Sequence, residues 1–430
     1  MKFSKESLVN VSRDLIVEER LRDSRGYRWV DVVGIPQRPD NLKDVLFLAT
    51  HSDGKGGWDN GFDRRPYARE VAEKKGWSLA IDSEAELGSN DYVRVRSLDV
   101  LTERLYETAR TEVSPYVIGV TGSVGKTTVT AFLEHLLSEA ETGVVRFYSK
   151  RLTPLSVACH YINRVDRDTN VVVMEYSAYL REHVATLSRI LPPNLAFMLN
   201  IYDTHINPGM FEDKSDIYAS KLRIKPESSA GYINRRILEE IGAENPEGWE
   251  SFSVEVPDSL TNFMLPPTLR TAELYTVGKL TAKNMGIPDQ ILRRAYETFT
   301  PVEKRMIVCN FQGRNIFFQG ETSGGSRLWS WFETTDGSVP WFLVEEVNFA
   351  DEDPLGFKDL LERVFGSERT YVLDTPANRE RLPVKTNFVD FDRFREILTD
   401  VSRGYTVFHK ALATRGKDFN PTAHLNEVYG

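Results

Sequence analysis

A glycine-rich segment, residues 119–128, constrains the fold of this chain more than any other feature of the sequence. It reads Gly-Val-Thr-Gly-Ser-Val-Gly-Lys-Thr-Thr and overlaps the end of the apolar run Val117–Val120. The residues after it have apolar side chains at helical spacing, namely Val129, Phe132, Leu133, Leu136 and Leu137. A buried strand, a glycine loop and a helix in this order predict a parallel α/β sheet with the loop at its edge.

The residue types of this segment also predict what it binds. Glycines let backbone N–H groups approach phosphate oxygens, and the start of a helix adds positive potential. Lys126 supplies a charge, and the hydroxyl of Thr127 is of a type that binds Mg²⁺. The predicted nucleotide-binding residues are Gly122, Ser123, Gly125, Lys126, Thr127 and Thr128. Five residues separate Gly119 from Gly125 where a strict P-loop has four, and a purely structural glycine turn is the alternative interpretation.

The rest of the chain repeats the alternation of short apolar runs and helices, which indicates sheets covered by helices. The runs lie at residues 45–49, 171–174, 195–199, 307–309, 316–318, 371–373 and 406–408. We expect an α/β protein of three domains: a small α/β N-terminal domain (1–112), a central P-loop domain with a parallel sheet and helices on both faces (113–305), and a Rossmann-like C-terminal domain (306–430). The 430 residues are enough for two to four domains.

Composition excludes several classes of function. The net charge of −9 argues against binding to nucleic acid, because proteins that bind it usually present a basic face. The two cysteines predict neither a disulfide framework nor a thiolate zinc site, and no apolar run approaches the length of a membrane helix. We therefore expect a cytoplasmic protein without a membrane or nucleic-acid partner; the oligomeric state is left open.

Three further motifs follow the glycine loop in order. They are Val-Val-Val-Met-Glu175-Tyr-Ser177, Met-Leu-Asn200-Ile-Tyr-Asp-Thr-His205 and Tyr-Ala-Ser-Lys221-Leu-Arg-Ile, the last followed by Tyr-Ile-Asn234. Together with Gly-Val-Thr-Gly-Ser-Val-Gly-Lys-Thr-Thr, this series resembles the Mur ligases, the ATP-dependent amide ligases of peptidoglycan synthesis and their relatives. The resemblance implies that the chain binds ATP and Mg²⁺.

The Glu and His motifs also make chemical sense as part of a metal site, since each follows a predicted parallel strand and ligands collect at the carboxyl ends of such strands. Our candidate metal ligands are Thr127, Glu175, His205 and Lys221, and the candidate catalytic residues are Lys126, Lys221 and His205. In the family, the lysine that matches Lys221 is carbamylated, which makes it an anionic ligand. An ordinary strand-end carboxylate, a capping histidine and a solvent-facing lysine are the alternative interpretations.

Weaker matches extend to both ends of the chain. Asp23-Ser24-Arg25, with the strand Leu-Phe-Leu-Ala49 and the glycine loop after it, resembles the opening domain of the MurE and MurF branch, where such a segment meets a uridine-diphosphate sugar. Arg305 matches an arginine that contacts ATP phosphates. The candidate substrate-binding residues are Ser24, Arg25, Ser177 and Lys410.

One part of the resemblance fails. The family has an Asn for the adenine edge in an alanine-rich helix, where this chain offers Leu274, Tyr275 and Lys279, so we expect base recognition to differ.

The resemblance implies an ATP-dependent, MurF-like ligase that joins a small or nucleotide-linked carboxylate to an amine or amino acid through an acyl phosphate. Two alternatives stay open: a Mur-like ligase of a specialised-metabolite or cofactor pathway, and a P-loop carboxylate kinase or ATP-gated binding protein.

Overall fold

A computed structural model of the chain describes most of its residues. These are 3–24, 26–30, 44–50, 63–82, 91–147, 152–178, 181–202, 206, 211–227, 229–256, 262, 264–301, 306–320, 333–335, 340–347, 362, 364–382, 385–400, 406–410 and 419–430. They form three sheets with helices between the strands, which confirms the predicted α/β class. Within these residues, every helix is too short or too polar to cross a bilayer.

The first sheet has five strands in the order β1-β5-β4-β3-β2. Its strands pair in parallel except β1 with β5, which is antiparallel. The apolar strand β3 is buried along its whole length, as expected for a parallel strand covered on both faces. The elements of this part are α1 (Lys5–Ser12), β1 (Ile16–Glu19), β2 (Arg28–Val30), β3 (Val45–Leu48), α2 (Arg65–Lys75), β4 (Ser78–Ile81), β5 (Tyr92–Val95) and α3 (Leu98–Glu112).

The second sheet has six strands in the order β11-β10-β9-β6-β8-β7. The pairs β11–β10, β10–β9, β9–β6 and β8–β7 are parallel. Its elements are β6 (Tyr116–Thr121), α4 (Lys126–Glu139), β7 (Val144–Phe147), α5 (Pro154–Arg164), β8 (Val171–Glu175), α6 (His183–Ile190), β9 (Leu195–Met198), α7 (Lys214–Leu222), β10 (Ala230–Asn234), α8 (Arg235–Ile241), β11 (Trp249–Phe252), α9 (Leu269–Met285) and α10 (Asp289–Thr298).

The third sheet also has six strands, in the order β12-β13-β17-β14-β15-β16. Only β12 is antiparallel to its neighbour among the described pairs. Its elements are β12 (Ile307–Phe311), β13 (Arg314–Gln319), β14 (Trp341–Glu346), β15 (Thr370–Leu373), α11 (Pro376–Arg381), β16 (Phe388–Val389), α12 (Phe391–Asp400), β17 (Thr406–Lys410) and α13 (Pro421–Val428). Each of the seven apolar runs named above forms or overlaps a strand.

By contacts between its residues the chain divides into two compact units. One comprises Met1–Val117, Thr142–Ser177 and Thr186–Pro193, and the other Ile118–Glu141, Ala178–Ala185 and Asn194–Gly430. The predicted domain boundaries at 112/113 and 305/306 stay a prediction.

Candidate functional site

The glycine loop connects the end of β6 to the start of α4, and two of its glycines are needed for its shape. Gly125 has φ of 88°, in the left-handed region that favours glycine, and caps α4. A Cβ at Gly122 would lie 3.1 Å from Leu199 Cβ and 3.4 Å from the backbone nitrogen of Asn200. The loop therefore lies tightly against the end of β9, at the start of a 14-residue helix.

Two lysines converge on this loop. Lys126 Nζ donates to the carbonyl oxygens of Gly122 (2.8 Å) and Ser123 (3.2 Å). Lys221 Nζ, from the last turn of α7, donates to the same Gly122 oxygen at 2.9 Å, and Lys221 is only 3% exposed. Two cations beside a helix N-terminus favour a polyanionic ligand such as a nucleotide polyphosphate. The solvent-facing interpretation of Lys221 is wrong, since its side chain is buried against the loop.

The hydroxyl residues of the loop are largely buried. Ser123, Thr127 and Thr128 are each no more than 8% exposed. The Ser123 hydroxyl contacts residue 202, accepting from the Tyr202 N–H at 3.0 Å. The structure thus brings all six predicted loop residues and Lys221 into one place.

Asn200 holds the glycine loop by hydrogen bonds. Its Oδ1 accepts from the N–H of Val124 at 2.9 Å, and its Nδ2 donates to the carbonyl of Val124 at 2.9 Å. Its own backbone carbonyl accepts from the N–H of Ser123 at 3.0 Å. One buried residue therefore fixes two successive residues of the loop, Val124 through its side chain and Ser123 through its backbone. The sequence motif contains Asn200, but its contact with the loop was not predicted.

Glu273, on α9, lies beneath the same loop and is fully buried. It accepts from Asn200 Nδ2 (3.0 Å), Asn234 Nδ2 (3.0 Å) and Arg270 Nη1 (2.7 Å). Burial raises the pKa of Glu273 and opposes the charge of Arg270, but the carboxylates of Glu273 and Glu333 hold the pKa of Arg270 above its ordinary value.

The amide of Asn200 is oriented by this carboxylate, since only its NH₂ can face an acceptor. The sequence-based interpretation of α9 concerned adenine recognition only, and the buried pair of Arg270 and Glu273 was not predicted. Its only local signal is the i, i+3 spacing of an Arg and a Glu.

Glu175 and Ser177 lie together in the other compact unit. Glu175 is the last residue of β8 and is 7% exposed, and the hydroxyl of Ser177 donates to its Oε1 at 3.0 Å. The predicted position at a strand end is confirmed for Glu175, and its role as a metal ligand stays a prediction. Among the described residues no group of three or more His, Cys, Asp or Glu side chains is arranged to hold a metal ion.

Of the remaining predicted residues, Ser24 and Lys410 are described with contacts of their own, and three fall outside the described residues. Ser24 forms a local turn in which its hydroxyl accepts from the N–H of Gly26 at 3.1 Å. Arg25, His205 and Arg305 fall outside the described residues.

Lys410, the last residue of β17, pairs with Glu345, whose other oxygen lies 2.6 Å from His424 Nε2. No local pattern predicts this Lys–Glu–His contact, because its members are far apart along the chain.

Among known proteins, the similarity to Mur ligases is most direct for the central part of the chain. The family model of the Mur ligase middle domain matches residues 120–236. A UDP-N-acetylmuramoylalanine--D-glutamate ligase of Cereibacter sphaeroides is 34% identical over 138 residues, which are 31% of this chain and 25% of the relative. The corresponding ligase of Listeria monocytogenes is 22% identical over 232 residues, 47% of each chain. The matches thus span a quarter to about half of these curated relatives.

Solved structures extend the likeness to almost the whole chain. MurF of Acinetobacter baumannii has a TM-score of 0.70 at 13% identity and covers 96% of both chains. MurF of Thermotoga maritima in complex with ADP has a TM-score of 0.64 at 18% identity and covers 90% of this chain and 94% of its own. At such identities the likeness shows the fold, and it confirms the predicted three-domain α/β architecture.

Proposed function

We propose that the chain is an ATP-dependent ligase that joins a carboxylate to an amine, because residues 120–236 match the family model of the Mur ligase middle domain. The observation that carries the proposal is the convergence of Lys126 and Lys221 on the carbonyl of Gly122 at the start of α4. Such a site suits the transfer of a phosphoryl group, in which charge must be stabilised on phosphate oxygens.

The reaction proceeds in two steps. A carboxylate oxygen of the first substrate attacks the γ-phosphorus of ATP, so that ADP leaves and an acyl phosphate forms. The amine nitrogen then attacks the acyl carbon, phosphate leaves with one of the original carboxylate oxygens, and the amine loses a proton. A carboxylate is unreactive towards amines until its oxygen is made a good leaving group, and the chain has mainly to hold the reactants and exclude water.

The chain's own groups divide this work. Lys126 and the backbone N–H groups at the start of α4 hold the β- and γ-phosphates, and we assign Arg305 to the same phosphates. Mg²⁺, when bound, neutralises phosphate charge. The hydroxyl of Thr127 and the carboxylate of Glu175 are oxygen ligands of the type Mg²⁺ prefers, and His205 completes the proposed set.

Lys221 is proposed to act in one of two forms. As an ammonium it is a second cation on the loop, and as a carbamate it is an anionic ligand near the metal. The two forms are distinguished by adding bicarbonate to protein depleted of CO₂: an increase in activity that Lys221→Ala abolishes indicates the carbamate, and indifference indicates the ammonium.

For the substrate we propose a MurF-like ligase that accepts a nucleotide-linked carboxylate and an amino acid or peptide. The relatives' names include UDP-N-acetylmuramoylalanine--D-glutamate ligase and a ligase that adds D-alanyl-D-alanine. Ser24 and Arg25 are assigned to the nucleotide-linked substrate, and Ser177 and Lys410 to the groups being joined. The cytoplasm is the proposed location.

A second candidate is a ligase of a specialised-metabolite or cofactor pathway. The altered adenine region favours it, since Leu274, Tyr275 and Lys279 stand where the family resemblance implies an adenine-binding Asn.

The test is release of phosphate from Mg·ATP with pools of carboxylates and amines, including uridine-diphosphate muramyl peptides. We expect release only when a carboxylate and an amine are both present. Release with a carboxylate alone, unchanged by any amine, would contradict the ligase and indicate a carboxylate kinase whose acyl phosphate is then hydrolysed by water, and release without either would indicate slow ATP hydrolysis by an ATP-gated binding protein.

A further inference from the structure

A second carboxylate, Glu333, lies close to the phosphate loop although it follows β13 in the sequence. Glu333 is buried, with 8% of its surface exposed. Its segment pairs with the chain before α9: the N–H of Leu269 donates to the carbonyl of Glu333 at 2.6 Å, and the N–H of Thr335 to that of Pro267 at 2.9 Å. Backbone hydrogen bonds on both sides of residue 334 therefore set the position of the Glu333 side chain.

Two donors contact that carboxylate closely, and a third cation lies farther away. Tyr202 donates its hydroxyl to Oε2 at 2.5 Å, Arg236 Nη2 lies 2.5 Å from Oε1, and Arg270 Nη2 lies 3.8 Å from Oε2. Charge-assisted hydrogen bonds of this kind are stronger than neutral ones. The guanidinium of Arg270 also lies over the ring of Tyr202, 5.8 Å from its centroid.

Two of these residues, Tyr202 and Arg270, also connect to the phosphate loop. The N–H of Tyr202 donates to the hydroxyl of Ser123, so the aromatic residue is fixed to the loop by its backbone and to Glu333 by its hydroxyl. Arg270 reaches the loop by the second route, through Glu273 and Asn200.

We propose that Glu333 is a positioning residue for the nucleotide, because its carboxylate holds Tyr202 and Arg270, the two side chains that link it to the phosphate loop. This inference rests on the proposed function, since it takes the loop to bind nucleotide. Among the described residues, loss of the carboxylate leaves Glu273 as the remaining ion-pair partner of the buried Arg270 and takes away the anionic acceptor of the Tyr202 hydroxyl, so the loop loses part of its preorganisation.

The sign of the effect separates positioning from simple electrostatics. Removing a negative charge near a polyphosphate, with no other change, strengthens binding of ADP. Removing a positioning group weakens it. Tyr202→Phe removes a hydrogen bond without changing any charge, so it reports on positioning alone.

The experiment is calorimetric titration of the full chain with Mg·ADP, for wild type, Glu333→Gln, Tyr202→Phe and the double variant. We expect each single variant to raise Kd about tenfold, which is the loss of roughly 1.4 kcal/mol typical of one good hydrogen bond. The double variant should raise Kd by less than the product of the two single effects, since both substitutions act on the Tyr202–Glu333 contact, while Glu333→Gln alone also removes the ion pairs with Arg236 and Arg270. The apparent KM for ATP should rise in parallel, with kcat changed less than twofold.

Glu255→Gln is the matched control. Glu255 pairs with Lys279 of α9 at the surface, and this substitution should leave Kd unchanged. Binding by Glu333→Gln that is as tight as wild type or tighter would overturn the proposal. If Glu333→Gln fails to fold, wild-type affinity in Tyr202→Phe overturns it alone. A wild-type chain that binds no ADP contradicts the proposed function and this inference with it, whereas wild-type binding that the variants retain overturns the inference only.

Discussion

Two regions of the molecule lie at the carboxyl ends of parallel strands and differ in how their buried polar groups are partnered. Below the phosphate loop, Asn200, Asn234 and Glu273 hydrogen-bond one another or the loop. At the strand ends of the third sheet, the ring nitrogens of His409 and the Oε1 of Gln319 are buried without a hydrogen-bond partner in the part of the chain that the structure describes.

A position at a strand end is therefore not sufficient to build a site. The loop is held in its binding shape by side chains from β9, β10 and α9, so substitutions there should act strongly on function or folding. In the third sheet the cost of burying polar groups is only partly offset. Because one of these groups is the ring of His409, which can bind a proton, its effect on stability should depend on pH.

The largest effect is expected at Lys126. Lys126→Ala removes the loop's own cation and should lower turnover roughly 100- to 1000-fold, about 3 to 4 kcal/mol of activation free energy. Steady-state phosphate release measures it. Lys283→Ala, at an exposed lysine of α9, is the control and should retain full activity; similar activities in both variants would refute the assignment of the phosphate loop.

Glu273→Ala comes next. It leaves the buried Arg270 without its nearest carboxylate and two amides without their acceptor, which should lower the free energy of unfolding by about 3 kcal/mol. Urea unfolding measures this loss, with the exposed Glu297→Ala of α10 as the control. A loss below 1 kcal/mol would show that the network contributes little to the loop's scaffold.

His409 should make the third sheet sensitive to acid. Burial lowers the pKa of His409 to about 3, so the folded protein keeps this ring neutral where the unfolded chain binds a proton below pH 6.5. Its contribution to stability is complete above pH 6.5 and is lost as pH falls towards 3.

Between pH 8 and pH 5 the wild type should therefore lose about 2 kcal/mol more than His409→Leu. Urea unfolding at the two pH values tests this. An equal pH dependence of both proteins would mean that His409 does not carry it.

The smallest effect is expected at the surface pair of Lys279 and Glu255, whose Nζ–Oε2 distance is 2.5 Å with both side chains about half exposed. Solvent screens such pairs, so Lys279→Ala should change the free energy of unfolding by less than about 0.5 kcal/mol. A change above 1 kcal/mol would remove the contrast between buried and exposed pairs on α9.

Much of the fold follows from local patterns. Apolar runs such as Val171–Met174 and Leu195–Leu199 become buried parallel strands because continuous hydrophobicity suits a sheet covered on both faces. The loop residues follow from the same logic, and Lys221 was found only because of its place in an ordered set of motifs.

The supports of the loop could not be predicted in this way. Glu273 and Arg270 are charged, and most charged residues lie on exposed helix faces, so the sequence alone would place them at the surface. Glu333 meets Tyr202 across 131 positions of sequence, and no local pattern specifies such a contact. What the sequence could not supply is therefore the tertiary pairing of buried charges.

The acyl-phosphate intermediate is tested by following the oxygens of the carboxylate substrate. With the carboxylate substrate from the screen labelled with ¹⁸O in both oxygens, the reaction with Mg·ATP and the amine is run and the released phosphate is analysed by mass spectrometry. An acyl-phosphate ligase transfers one labelled oxygen to each phosphate and forms one amide per ADP. Unlabelled phosphate accompanying amide formation would contradict the acyl-phosphate mechanism, because the carboxylate would then not have been phosphorylated.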